Sequence, residues 1–225
     1  MNQRKKISIV IPAYNEGKNI LAVYRQVKAI IPRQYMYEII FIDDGSTDLS
    51  LEFMQAIHAR DPLVRYISYA KNAGHQYALY SGYAAAQGDC IISIDADLQH
   101  PPKLIPVLIK SWESGNLIVH TLNKKKTRSP FSLLAGYIWH KMKVPVKLGT
   151  SDFRLIDGSL LKKVLRQPGA KKFLRGVIAR IHAAQTTIEY ISSRRLHGKP
   201  KYTLWKRMIL FANGLLYISR LRAKK

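Results

Sequence analysis

A single cysteine, Cys90, stands in this 225-residue chain, which excludes an intrachain disulfide and any cysteine-rich metal site. It sits in the apolar run Cys90-Ile91-Ile92-Ser93-Ile94 and reads as a buried strand thiol. Long hydrophobic runs are also missing. Covering a bilayer takes roughly 20 apolar residues, and the longest charge-free stretch near the C-terminus is 208–219. The N-terminal Met1-Asn2-Gln3-Arg4-Lys5-Lys6 leads straight into a strand-like segment, so no signal peptide is expected. Neither an internal repeat nor a low-complexity tract interrupts the chain. Acids are scarce, with 14 Asp+Glu against 37 Lys+Arg for a formal charge of +23.

That scarcity is local. Residues 1–110 hold 12 Lys+Arg and 10 Asp+Glu, whereas residues 111–225 hold 25 and 4. The second half is therefore suited to meet phosphate, on nucleic acid or on an anionic membrane. Hydrophobic residues make up 47% of the chain, enough for a packed core.

The first half alternates in type. Apolar β-branched runs at 7–11, 38–42, 64–69 and 90–94 predict strands. Helical segments are expected at 19–31 (stopping before Pro32), 49–60 and 75–87. This order predicts an α/β fold, with a mostly parallel sheet and helices on both faces. Such sheets bind ligands beyond the carboxyl ends of their strands. Later in the chain, 117–119, 151–156 and 187–191 read as short strands or loops, and 160–165 and 173–181 as short helices. Segments 131–142 and 204–221 read as apolar helices with basic flanks.

The acids of the first half follow strand ends. Asp43 and Asp44 follow the second strand, in the turn-rich Asp43-Asp44-Gly45-Ser46-Thr47-Asp48. Asp44 could accept from a base N–H or a ribose hydroxyl, and Ser46 or Thr47 could cap the next helix. Asp95-Ala96-Asp97 follows the fourth strand. In an extended segment, side chains at i and i+2 share a side, so two carboxylates would face one hard cation. Mg²⁺ and Mn²⁺ favour such oxygen ligands and bridge them to substrate phosphates.

Four segments together resemble glycosyltransferase family 2: Ile9-Val10-Ile11-Pro12-Ala13-Tyr14-Asn15-Glu16, the Asp43–Asp48 turn, Lys71-Asn72-Ala73-Gly74-His75-Gln76, and Asp95-Ala96-Asp97-Leu98-Gln99-His100-Pro101. Three later ones, Ser151-Asp152-Phe153-Arg154-Leu155, Phe173-Leu174-Arg175-Gly176 and Arg195-Leu196-His197-Gly198-Lys199-Pro200-Lys201-Tyr202-Thr203, resemble its polyprenyl-phosphate subgroup, typified by dolichol-phosphate mannose synthase. The resemblance spans about residues 6–220. It implies a GT-A fold, placed here over 1–203; by their apolar faces and basic flanks, 130–143 reads as an interfacial helix and 204–225 as a basic amphipathic helix on the membrane.

By the same resemblance, Pro12, Tyr14, Glu16, Ile42, Asp44, Asp95 and Ala96 would line the nucleotide site. Asp95, Asp97 and Gln99 would hold Mg²⁺ or Mn²⁺ and the diphosphate, with Asp97 counted as catalytic. Asp152 would take or orient the acceptor proton. Arg154, Arg195 and Lys201 would grip phosphates. Where the family often places an arginine after the strand near 117–124, Lys124 would substitute, and Pro200 stands where the family usually has serine.

The implied activity is inverting transfer of a hexose from a UDP- or GDP-sugar to a polyprenyl phosphate, undecaprenyl or dolichyl. The implied location is peripheral, on the cytoplasmic face of a membrane, and a separate membrane-spanning partner could supply spans this sequence does not carry. A soluble glycan acceptor and nucleic-acid binding on a degenerate transferase fold are the alternatives. The basic half and the phosphate motifs argue against the first, the intact acidic edge against the second, and no nucleic acid is expected as partner.

Overall fold

The computed structural model describes residues 4–124 and 150–193, together with Tyr137, Lys141, Ala212 and Gly214. Apart from those four residues, the helices expected at 131–142 and 204–221 lie outside the described residues, as do Arg195 and Lys201.

Seven strands form one sheet: β1 (Lys6–Ala13), β2 (Met36–Asp43), β3 (Val64–Ser68), β4 (Cys90–Ser93), β5 (Ile118–Asn123), β6 (Thr150–Asp157) and β7 (Gln185–Tyr190). Their order across the sheet is β3-β2-β1-β4-β6-β5-β7. The central strand β1 is mostly apolar because both faces are covered: from Ile7 to Ala13 every residue is buried. Strand β1 runs parallel to β2 and β4, and β2 runs parallel to β3. Strand β6 is antiparallel to both β4 and β5, while β5 and β7 are parallel. One edge of the sheet therefore carries the carboxyl ends of six strands and the amino end of β6.

Helices α1 (Gly17–Ile30), α2 (Ser50–His58) and α4 (Ile105–Glu113) cover one face, packing Ile20, Val23, Val27, Met54, Leu108 and Trp112 onto it. Helices α3 (His75–Ala85), α5 (Gly158–Leu165) and α6 (Leu174–Ala179) cover the other with Ala78, Leu79, Leu160, Leu161, Val164 and Val177. Helix α3 lies close to β1 and β2. A Cβ on Gly82 would come within 2.3 Å of Val10 Cγ1, so only glycine permits that approach.

Helix α4 is an element that the reading of the sequence did not anticipate. Its pattern is plain in hindsight, with Ile105, Leu108, Ile109 and Trp112 buried at helical spacing. Pro106 sits in its first turn, where a missing N–H costs nothing. The strands expected at 117–119 and 187–191 extend over β5 and β7, and α6 is shorter than the expected 173–181.

Candidate active site

Three loops at the carboxyl edge are stitched into one wall. Asn15, with φ 54°, donates its N–H to Ser46 Oγ (2.9 Å), and its Oδ1 accepts from Thr47 N (2.7 Å). Glu16 N donates to Ser50 Oγ (2.8 Å) and Gly17 N to Asp48 Oδ2 (3.1 Å). Asp48 Oδ1 accepts from Ser50 N (3.0 Å) at the start of α2, so Asp48, not Ser46 or Thr47, receives that helix's early N–H. Asp44 is buried. Its carboxylate accepts from Ala73 N (2.8 Å), Gly74 N (3.0 Å) and Asn72 Nδ2 (2.9 Å). Gly45 must be glycine, since its φ is +71° and a Cβ would meet Lys71 C at 2.4 Å.

Beside this wall, the chain leaves β4 at Ser93 and turns. Residues 95–97 lie in that turn, with Leu98 at φ 59°, so strand alternation is not what orients the two carboxylates. Local bonds do it instead. Asp97 is buried, and its Oδ1 accepts from Gln99 N (3.0 Å). Asp95 keeps 32% of its side chain exposed, and its Oδ2 lies 2.9 Å from His100 Nε2. His100 Nδ1 in turn lies 2.6 Å from the Tyr190 hydroxyl at the end of β7. Burial pushes the Asp95 carboxyl up, but the His100 hydrogen bond and the neighbouring imidazoles outweigh it and the net shift is downward.

A third group meets at the amino end of β6. Asp152 Oδ1 accepts from Arg154 Nη2 (2.7 Å), and Asp152 Oδ2 accepts from Arg175 Nη2 (2.8 Å). His75 Nε2 lies 3.3 Å from Asp152 Oδ2 and 3.7 Å from Asp95 Oδ1, bridging the two carboxylates. Burial opposes ionisation of Asp152, yet Arg175, His75 and Arg154 together hold its carboxyl well below the usual range. Burial alone would lower His75, but Asp152 and Asp95 raise it, favouring the imidazolium. The edge thus sets an acidic turn against a cationic pair, Arg175 and His75, a few ångströms apart.

Compared with known proteins, residues 8–164 match the model of the family described as Glycosyl transferase family 2. The chain belongs to glycosyltransferase family 2. Its relatives include an "Uncharacterized glycosyltransferase YkcC" of Bacillus subtilis, 33% identical over 97% of this chain and 70% of its own length. Also 33% identical are a "Prophage bactoprenol glucosyl transferase homolog" of Escherichia coli and the "Bactoprenol glucosyl transferase" of Shigella phage SfV, each match covering 95% of this chain and 72% of the relative. Among solved structures, glucosyl-3-phosphoglycerate synthase from Mycobacterium tuberculosis, crystallised with Mn²⁺, UDP and phosphoglyceric acid, superposes with a TM-score of 0.65. It is 21% identical, over 95% of this chain and 78% of that one. The fold of this family 2 enzyme is GT-A, as its motifs implied.

Against the expected roles, the GT-A site differs in two places. Arg154 was expected to grip phosphate. It lies on the central strand β6 with only 2% of its side chain exposed, donating to Ser151 O (2.8 Å) and to Asp152. This guanidinium is enclosed between β4 and β5, whereas that of Arg175 is 27% exposed at the edge. Asp44, expected at the nucleoside, has its carboxylate engaged by the loop at 72–74.

The other expected residues among those described reach the same edge. Tyr14 and Glu16 sit in the loop after β1, with Pro12 and Ile42 buried beneath, Ala96 buried between the two acids, and Gln99 partly exposed. Lys124 lies at that edge two strands beyond β4, its Nζ 2.6 Å from Glu189 Oε2 on exposed surface. The sequence reading assigned no role to His75, His100, Arg175 or Tyr190. The first three stand inside the quoted motifs, so the signal was present. Tyr190 had none, because its position depends on where β7 joins the sheet.

The donor set fits a hard divalent cation. Among the described residues no three His, Cys, Asp or Glu side chains form a complete cage. Two carboxylates in a polar turn are what Mg²⁺-type ions commonly use when phosphates and water supply the remaining ligands.

Proposed function

We propose that this family 2 glycosyltransferase moves a hexose from a nucleotide-diphosphate sugar to a polyprenyl phosphate, inverting the anomeric carbon by single displacement. The observation that carries the reading is the apposition, across His75, of the Asp95–Asp97 turn and the Arg175 guanidinium. One serves a cation-bound diphosphate and the other a phosphate anion. The names of the bactoprenol glucosyl transferase relatives support the lipid acceptor.

In this reading the stitched wall of Tyr14, Glu16 and the Asp44-anchored loop takes the nucleoside, over Pro12, Ile42 and Ala96. Asp95, Asp97 and Gln99 hold Mg²⁺ or Mn²⁺, which when bound neutralises charge on the departing diphosphate. A phosphate acceptor is already an oxyanion at neutral pH and needs no general base. Asp152, whose carboxyl is held low by two arginines, accordingly acts by aiming Arg175 and His75 at that anion. Arginine suits the task because it contacts phosphate through two N–H donors. Arg195, Lys201 and Lys124 are proposed to gather the remaining phosphate charge.

No helix of the described residues is long and apolar enough to cross a membrane. We assign the enzyme to the cytoplasmic face of the membrane, peripherally bound to anionic lipid, where a membrane-spanning partner could join it. The test is transfer of labelled sugar from a panel of UDP- and GDP-hexoses with Mn²⁺ or Mg²⁺ into vesicles carrying polyprenyl phosphate. Label should enter the organic-extractable lipid with one donor. Label recovered only in water-soluble glycan or as free sugar would overturn the acceptor assignment.

A further inference from the structure

Between Asp157 and Glu189 the chain holds no carboxylate, yet it holds seven cations: Lys162, Lys163, Arg166, Lys171, Lys172, Arg175 and Arg180. The elements that carry them, α5, the 166–172 loop and α6, lie on one face of the sheet. Helix α5 buries Leu160, Leu161 and Val164 against the sheet, leaving Lys162 and Lys163 exposed. It starts at the edge remote from the site, where Gly158 N donates to Asp89 O (2.7 Å). From there the chain climbs through the exposed Arg166, Lys171 and Lys172 to α6, where Arg175 reaches Asp152 at the catalytic edge. Lys171 Nζ stands 5.5 Å from the Tyr80 ring on α3. In the first half Lys28 is neutralised by Asp61 and Arg65 by Glu38. Within 158–188 the chain itself supplies no such acid, and Arg175 finds its partner, Asp152, on β6.

We propose that the surface formed by α5, the 166–172 loop and the start of α6 is the face on which the enzyme docks to an anionic lipid bilayer. The proposal rests on the lipid-phosphate reading and adds to it the contact surface and its manner of attachment. Arg175 is the member of this set that reaches the catalytic edge, so a bilayer against this face brings headgroup phosphates alongside the site proposed for the acceptor. None of the large exposed apolar side chains among the described residues falls between 158 and 190. Attachment here is therefore electrostatic, without insertion, and weakens as salt shortens the screening length. Nucleic acid would also meet a basic face, but nothing at the catalytic edge would use it.

Flotation of the full chain with vesicles of phosphatidylcholine, with and without phosphatidylglycerol and lacking polyprenyl phosphate, tests this directly. The parent should float only with the anionic vesicles and lose binding as salt rises. The triple variant R166E/K171E/K172E should partition at least about tenfold less. A milder R166Q/K171Q/K172Q variant should fall between them, and both should keep the parent's Mn²⁺-dependent thermal shift with UDP, which shows that fold and donor site are intact. Undiminished flotation of both variants would overturn the proposal, as would equal binding to neutral vesicles. So would a parent that binds a short RNA but no vesicle. If the parent floats through this face yet transfers no sugar to polyprenyl phosphate, the docking surface stands and the acceptor reading fails.

Discussion

Tyr190 fixes a carboxylate that belongs to the far side of two strands. Burial, together with the charges of Asp95 and Asp97, pushes its phenol up to about 12, so it stays a neutral donor at working pH. Its hydroxyl lies 2.6 Å from His100 Nδ1, and His100 Nε2 lies 2.9 Å from Asp95 Oδ2, so the ring that meets the carboxylate is held in place by the phenol. Tyr190→Phe should therefore weaken Mn²⁺ binding in the presence of UDP by about 10- to 100-fold, the usual effect of removing an outer partner of a metal ligand. Isothermal titration reads this without turnover, and unchanged affinity would remove Tyr190 from the site. Asp97→Ala should abolish turnover with the fold intact, and near-normal rates in chelator would contradict a metal role. Asp152 separates an anchor from a base. Asp152→Asn strips the buried Arg154 of its charge partner and should cost on the order of 3–5 kcal/mol in denaturant unfolding. Arg175→Ala, at a partly exposed position, should lose acceptor use with far less stability. A full loss of activity in Asp152→Asn at parental stability would instead make the carboxylate a proton acceptor.

At the scale of elements, the C-terminal turn of α1 is tied to the chain entering β3. Lys28 Nζ and the Tyr24 hydroxyl both reach Asp61 Oδ2 at 2.7 Å. Burial pushes the Asp61 carboxyl up, but these donors and Leu63 N outweigh it, so its folded value lies below the unfolded one. A depressed carboxylate stabilises the fold above its unfolded pKa, near 3.8, and that contribution disappears as pH falls through the lower folded value. Asp61→Asn should thus be less stable than the parent at pH 7, with the gap closing below about pH 4 in urea melts. A constant gap would mean packing, not charge, ties the two elements. The first four strands and three helices were legible because each carries its own period and turn signals. Strand direction was not: nothing in the residues of β6 says that it runs opposite to β4, and that reversal brings Asp152 beside the acidic turn. Arg154 misled for a related reason. A motif announced a cation, but enclosure by β4 and β5 is a property of the sheet, and it turned a phosphate contact into a buried strut.

Across the whole molecule, the division of charge matches the chemistry proposed for it. The half with nearly balanced charge builds the wall and the acidic turn, and the basic half supplies Arg175 and the face behind it. This division makes a prediction about the order of binding. A nucleotide diphosphate approaching Asp95 and Asp97 unaccompanied meets two carboxylates, and Arg175 and His75 are already engaged with Asp152. A divalent cation reverses the sign of that encounter, so nucleotide and metal should bind with strong mutual dependence. At a ligand concentration of about 100 Kd, binding adds about 2.7 kcal/mol to stability. For a domain of this size that corresponds to a rise in Tm of roughly 5–10 °C. UDP with Mn²⁺ should give a shift of this order, while UDP in chelator and Mn²⁺ alone should each give only a small part of it. By linkage, each ligand should tighten the other by the same factor. A full shift with UDP in chelator would mean that protein cations hold the diphosphate unaided, and the acidic turn would then need another purpose.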